Sequence, residues 1–167
     1  MLHARPLTIR PYIDATDRAP MIALYRAAWH DAYDAIDGAE AIDRLIDALL
    51  AGEPPPMFEL PDCDLALVAV LANRIVGGAR SHPRGDIVHL SGVYVHPDCQ
   101  RSGVGSALLA ELLSHYPAGT VVRADVRPSS HSAAAFYTRH GFERIGKSRT
   151  NVGGDHWVDI IELQRTS

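Results

Sequence analysis

The residues best suited to chemistry lie where an apolar run hands over to a helical one through closely spaced glycines. The run is Val93-Tyr94-Val95-His96-Pro97-Asp98-Cys99-Gln100-Arg101-Ser102-Gly103-Val104-Gly105-Ser106. The first N–H groups of a helix have no partner inside it, and the helix dipole adds positive potential there. Gly103 and Gly105 carry no side chain, so an anion such as phosphate can come close to the bare backbone. Two familiar nucleotide patterns do not fit. No Lys-Ser/Thr pair follows Gly105, and Leu108 stands where a third glycine would complete G-x-G-x-x-G. Those absences argue against a P-loop nucleotide triphosphatase and a dinucleotide-dependent dehydrogenase. The nine histidines are scattered, none in H-E-x-x-H spacing, and Cys63 and Cys99 form no C-x-x-C pair. No metal is therefore expected. Cys99, in the glycine-rich turn, reads as a neutral filler or as a thiol whose pKa the helix terminus lowers.

The elements that must position these residues can be read from periodicity. Leu7 to Ile13 alternates as a first strand. Asp14 and Thr16 are candidate N-caps for a helix whose spacing runs from Pro20 through Ile36 to Gly38. A second helix carries Ile42, Leu45-Ile46 and Leu49-Leu50 on one face, and the proline-rich 53–62 segment is a loop. Leu65 to Leu71 and Arg74 to Ala79 flank a hairpin turn at Ala72-Asn73. Gly77-Gly78 marks a bulge or a close backbone approach. After a turn at His82 to Asp86, a strand covers Ile87 to Val95, and the helix beyond the glycines covers roughly Ser102 to His115. A strand at 120–126, a helix at roughly 132–140 and strands near 142–150 and 157–163 follow, the last two turning at Gly153-Gly154. This order is that of an α/β domain with a mixed sheet.

Composition agrees. The chain has 167 residues, 47% apolar and 22% charged, which is enough for one buried core and short for two domains. A formal charge of −4 argues against general nucleic-acid binding while leaving room for a local basic patch. No apolar stretch approaches the length of a membrane span, and two cysteines make no disulfide framework. A cytoplasmic protein that binds neither nucleic acid nor membrane is the expectation.

Two motifs in order then carry a family resemblance. Gln100-x-x-Gly103-x-Gly105 after Val93-Tyr94-Val95-His96-Pro97 resembles the pyrophosphate-binding segment of the GNAT superfamily of acyl-CoA-dependent N-acyltransferases. Downstream, Ser130-His131-Ser132-Ala133-Ala134-Ala135-Phe136-Tyr137-Thr138-Arg139-His140-Gly141-Phe142 resembles its second signature, N-x-x-A-x-x-F-Y-x-x-x-G-F. Ile9-Arg10-Pro11 with Asp17 matches a common opening of such domains. The resemblance implies one GNAT-like domain over 1–167. Its sheet would be mixed, mostly antiparallel and six- to seven-stranded, splayed between the fourth and fifth strands and flanked by about four helices.

It also implies acetyl-CoA as co-substrate and an amine as acceptor. Backbone groups of Val93 and Val95 would pair with pantetheine amides. The segment Gln100, Arg101, Ser102, Gly103, Val104, Gly105 and Ser106 would hold the pyrophosphate, with the Arg101 guanidinium as a possible helper or a solvated surface group. Tyr137 would protonate the departing thiolate. Ser130 replaces the signature asparagine, and its hydroxyl can still bond a pantetheine amide or cap the next helix. Relatives often place a glutamate where His89 stands, so His89 becomes the candidate base; a half-buried strand histidine is the plain alternative. Period two puts His89, Ser91, Val93 and Val95 on one face. His96, Asp86 and Glu59 are lesser candidates.

The acceptor side would be lined by Trp29, Tyr33 and Phe58, with His30 nearby. Asp31, Asp34 and Asp37 either favour a cationic amine or form a solvated helix face. The expected activity is N-acetyl transfer to a primary amine of a small molecule, peptide or protein, by direct attack on the thioester. A non-catalytic acyl-CoA-binding module is the alternative from another class, and either a monomer or a homodimer is compatible.

Overall fold

A computed structural model describes residues 6–52, 64–151, 155 and 157–167. In chain order the strands are β1 (Thr8–Pro11), β2 (Leu65–Leu71), β3 (Arg74–Arg84), β4 (Ile87–Val95), β5 (Val121–Val126), β6 (Glu143–Asn151) and β7 (Trp157–Thr166). The helices are α1 (Asp14–Asp37), α2 (Ala39–Leu49), α3 (Val104–Ser114) and α4 (His131–Arg139), with a short 3-10 turn at Pro97–Cys99. One seven-stranded sheet has the order β1-β2-β3-β4-β5-β7-β6. Every neighbour pair is antiparallel except β4 with β5.

Helices cover both faces, and β3 shows why the glycines are needed. A Cβ on Gly77 would lie 2.9 Å from Leu108 of α3, and one on Gly78 would lie 2.5 Å from Met21 of α1. The two glycines therefore let a helix approach the strand closely from each side. A bulge sits beside them, where Gly77 pairs Ala69 while Ile75 pairs Val70. On the α3 side the core gathers Leu108, Leu109 and Leu112 with Val122, Tyr137 and Phe142. On the α1 side Met21 and Leu24 pack on Val68. The Ala72-Asn73 turn has φ of 54° and 62°, both left-handed, as a two-residue hairpin of type I′ requires.

Several boundaries differ from the sequence reading for local reasons. Strand β3 runs on to Arg84, and the turn into β4 is only Gly85-Asp86, with Gly85 at φ 59°. Beyond Ser81 the described residues give β3 only β4 as a partner, and a proline such as Pro83 is tolerated at that kind of edge. Helix α1 begins at Asp14 and carries Pro20 inside it, although proline reads from sequence as a helix start. Its N-cap is Ile13, without a side-chain cap, so neither Asp14 nor Thr16 caps it. Asp17 does that work from within the first turn. Its carboxylate accepts from the Ile13 N–H at 2.8 Å and takes two bonds from Arg10 of β1, at 2.6 and 2.9 Å. The Gly153-Gly154 turn lies outside the described residues.

Asp17 is 2% exposed, so this pairing joins β1 to α1 inside the protein. The Arg10 hydrogen bonds first, then the Ile13 N–H, hold its carboxyl at about 2, below the usual 3.8. A depressed folded-state pKa contributes stability above the unfolded value that is lost as pH falls through the folded one. Asp17→Asn is expected to destabilise the protein by about 2 kcal/mol at neutral pH. Urea midpoints should show the difference between the two proteins shrinking as pH drops from 5 toward 2.

Candidate active site

The site begins where β4 leaves β5. The two strands pair in parallel only from Ile87–Val121 to Leu90–Ala124. β4 then continues to Val95 against β3, and β5 continues to Val126 against β7. A bulge marks the parting: Ser81 pairs Leu90, Arg80 pairs Gly92, and Ser91 is left over. Gly92 has φ 141°, and a Cβ there would lie 2.5 Å from the Tyr94 ring. Only glycine suits that backbone and that contact.

The extra residue changes which side chains share a face. Val88 and Leu90 belong to the core on the α3 side, and Val93 and Val95 pack there too. Tyr94 packs on the α1 side. His89 therefore shares the α1 side with Tyr94 and not, as strict alternation predicts, the side of Val93 and Val95.

Tyr137 of α4 fills the parting. It is 5% exposed, and its ring packs edge-on against Phe136 and Phe142, with centroids 5.2 and 5.1 Å away. The Val93 N–H faces its hydroxyl and favours the ionised form. Burial first, then the neighbouring Tyr94, drives the phenol far above its ordinary pKa, and the Val93 N–H opposes that rise. Tyr33 acts on both Tyr94 and Tyr137 electrostatically, so three phenols converge here. The Trp29 indole N–H faces the Tyr94 oxygen and opposes the rise of its pKa, and Tyr25 meets the Tyr94 ring edge-on at 4.8 Å. Trp29 and Tyr33 lie 5.6 Å apart, and the Ser130 hydroxyl donates to that of Tyr33 at 3.2 Å. Ser130 is the N-cap position of α4 but makes no side-chain cap bond; it holds Tyr33 instead. The structure thus brings Tyr137, Val93, Ser130, Trp29 and Tyr33 together. Phe58 and Glu59 lie outside the described residues.

Three participants escaped the sequence reading. Tyr94 looked like one more strand residue, since only the bulge and Gly92 bring its ring round to the parting. Arg127, just past β5, sets its guanidinium 4.7 Å over the Tyr33 ring and bonds Asp37 at 2.5 and 3.3 Å. Asp125 on β5 keeps contact with solvent, yet its packing and then Glu162 raise its carboxyl, while His89 and Arg123 oppose the rise. It also acts on Tyr137. No motif announces these residues; they come from different strands whose alignment is tertiary.

The acidic face of α1 is largely taken up internally. Asp31 accepts from the Gln100 amide at 3.3 Å, Asp34 bonds His30 at 2.8 Å, and Asp37 holds Arg127. The Asp34 hydrogen bond is the main reason the His30 imidazole is raised above its usual pKa. Asp31 and Asp37 tie α1 to its surroundings, while the Asp34–His30 pair lies within the helix.

The glycine-rich turn forms the other end of the site. Arg101 and Gly103 have φ of 59° and 87°, and α3 starts at Val104, later than the sequence reading placed it. Ala107 is the first amide after the turn with a backbone acceptor, the Gly103 carbonyl at 3.0 Å. The N–H groups of 101–106 have none among the described residues. Nothing lies within 4 Å of a Cβ on Gly103, whereas one on Gly105 would come 3.3 Å from Phe136. Gly103 thus serves the backbone turn and Gly105 serves packing of α3 on α4. Val104 offers only its N–H, its side chain being buried, and the Ser102 hydroxyl bonds the Cys99 carbonyl at 2.5 Å. Gln100 clamps the end of β4 through the Val95 carbonyl at 3.3 Å.

The lesser base candidates stand apart from Tyr137. Asp86 sits in the exposed turn before β4. His96 lines an open cleft of about 920 Å³ with Arg10, Asp17 and Arg74, and that lining includes none of Val93, Tyr94, Asp125 or Tyr137. Among the described residues no three His, Cys, Asp or Glu side chains gather as a metal site, and no helix is long and apolar enough to cross a membrane.

Comparison with known proteins places this arrangement. The family model described as the acetyltransferase (GNAT) family matches residues 22–142. Serotonin N-acetyltransferase of Mesocricetus auratus is 32% identical over 82 residues, which are 49% of this chain and 38% of that protein. The PaiA N-acetyltransferase of Thermoplasma acidophilum, solved in complex with coenzyme A, superposes with a TM-score of 0.78 at 19% identity, covering 97% of this chain and 99% of that one. A GCN5-related N-acetyltransferase of Rhodopseudomonas palustris gives 0.77 at 23% identity, covering 100% and 99%. With its splayed sheet, its glycine turn and a family match over 22–142, the chain belongs to the GNAT acetyltransferase family.

Proposed function

We propose that this protein transfers an acetyl group from acetyl-CoA to a primary amine by direct attack of the amine on the thioester. Acetyl transfer in general follows from family membership. The observation that carries the finer reading is the edge of β4 that no strand pairs among the described residues, which leads from the amides of 101–106 to the Tyr137 hydroxyl facing the Val93 N–H. An extended chain bearing amides and a pyrophosphate matches that edge and that turn. The fold shared with a protein solved with coenzyme A supports the same choice of co-substrate. The acceptor would be a small-molecule, peptide or protein amine.

In this reading backbone groups of Val93 and Val95 pair with the pantetheine arm as an added strand would. The N–H groups from Arg101 to Ser106 hold the pyrophosphate, with Gln100 bracing the turn and Ser130 at the slot's far wall. Trp29 and Tyr33 line the approach of the amine. The neutral amine forms the new N–C bond, and His89 takes the proton it must shed. The C–S bond then breaks, and Tyr137 gives its proton to the leaving sulfur. A phenol held well above its ordinary pKa keeps that proton until negative charge builds on the sulfur. The Val93 N–H is placed to steady the phenolate that results. Solvent returns the proton from His89 to Tyr137, so the chemistry balances.

Three measurements test this. Acetyl-CoA at about a hundred times its Kd should stabilise the protein by about 2.7 kcal/mol, raising Tm by about 5 °C or more. No shift at saturation would remove both the transferase and the acyl-CoA-binding module. Tyr137→Phe should lower kcat by about a hundredfold with acetyl-CoA affinity nearly unchanged. A rate within a few fold of the parent would end the acid assignment. His89→Ala should lose rate near neutral pH and recover part of it at higher pH, where the amine sheds its proton unaided. A small loss independent of pH would return His89 to a structural role.

A further inference from the structure

The strands before the parting hold a pair of histidines that the transfer reaction as described uses only in part. His82 and His89 are register partners on antiparallel β3 and β4, and their rings stack with centroids 5.6 Å apart and planes 13° from parallel. Ser91, the residue set loose by the bulge, reaches back across the strands, and its hydroxyl lies 2.9 Å from His82 Nδ1. The result is a clamp. The strand that carries His89 also carries the serine that pins the ring covering it.

We propose that His82 is a positioning residue for His89: pinned by Ser91, its ring fixes the plane of the His89 imidazole and supports the imidazolium that forms during transfer. The inference rests on His89 being the base. Its physical ground is that a neutral aromatic face attracts a cation laid against it. The surroundings of His82 favour its neutral form. Burial first, then Arg84, lowers its imidazole pKa, with Arg80 and His89 adding to the drop and Asp64 opposing it. Asp64 itself bonds Arg80 at 2.6 Å. On the other flank β5 puts Arg123 opposite His89, but its Nε is turned to Gln164 of β7 at 2.9 Å. Beyond it stands Asp125, which shares electrostatic coupling with both His89 and Glu162. His82 is thus biased toward its neutral form beside the proposed base. It touches no reacting atom and acts only through its neighbour.

The experiment is a set of kcat/KM profiles against pH for the full chain with acetyl-CoA and a fixed amine. The proteins are the parent, His82→Ala, His82→Phe, Ser91→Ala, His89→Ala and the double variant His82→Ala/His89→Ala. His82→Ala should lower kcat about tenfold with KM for acetyl-CoA unchanged. Its acid limb should move to lower pH by roughly half a unit, because the imidazolium loses its supporting face. His82→Phe keeps a flat ring and should recover most of the rate; Ser91→Ala, which unpins His82 and leaves both rings, should lower kcat a few fold and carries the test if the alanine variant does not fold. In the His89→Ala background, His82→Ala should cost nothing further. An equal loss in both backgrounds, or an unmoved acid limb in both His82 variants, overturns the positioning role. If His89→Ala itself leaves the acid limb in place, the base assignment fails, and the inference falls with it for that distinguishable reason.

Discussion

The structure depends on one constraint: β4 cannot follow β5 past Leu90. Up to that residue the pair satisfies its backbone groups in an ordinary parallel ladder. Beyond it the Ser91 bulge turns β4 away, and among the described residues no strand pairs its edge from Ser91 to Val95 on the β5 side. Buried backbone N–H and C=O groups need partners, so such an edge persists only when something else supplies them. In this chain the buried Tyr137 hydroxyl stands against the Val93 N–H, which opposes the rise of its pKa. The gap is thus both the reason a ligand can bind and the reason a phenol is buried beside it.

The neighbouring features follow from keeping that gap open. Gly92 adopts a backbone that other residues rarely take, which brings Tyr94 back over the strand. Trp29 and Tyr33 come from α1 to meet it, and Arg127 with Asp37 ties the same helix to the end of β5. Gly77 and Gly78 let α3 and α1 press close on β3, so the half of the sheet before the gap is stiff on both faces. One wall of the site is built on a rigid ladder, and the other is tied to it by a few polar bonds. That division is what a site needs if its reacting groups are to hold position while a substrate enters.

Charge is used locally. The chain is acidic overall at −4, yet the turn before α3 offers unpaired amides and no acidic side chain in the first helical turn. The carboxylates of α1 that looked available for a cationic amine are engaged with Gln100, His30 and Arg127. Asp125 is the carboxylate whose setting near the gap is most altered. A count of charges along α1 does not show this pairing, because Gln100 and Arg127 come from outside the helix and only His30 lies on it.

Much of the fold was legible in order, since glycine turns and apolar periodicity are local: Ala72-Asn73, Gly103 before α3 and Phe136-Tyr137 in α4 are all where their residue types put them. The Asp17 cap was less so, because Ile13 offers no side-chain signal and Arg10 comes from another element. By itself the sequence determined the family motifs, the order of elements along the chain and the place of the glycine turn before α3, since each depends on neighbours within a few residues. Tertiary structure alone decided the face of His89, the return of Tyr94 over Gly92 and the stacking of His82 on His89. A single extra residue at Ser91 reverses every side chain beyond it, and where a strand bulges is settled by its partners across the sheet.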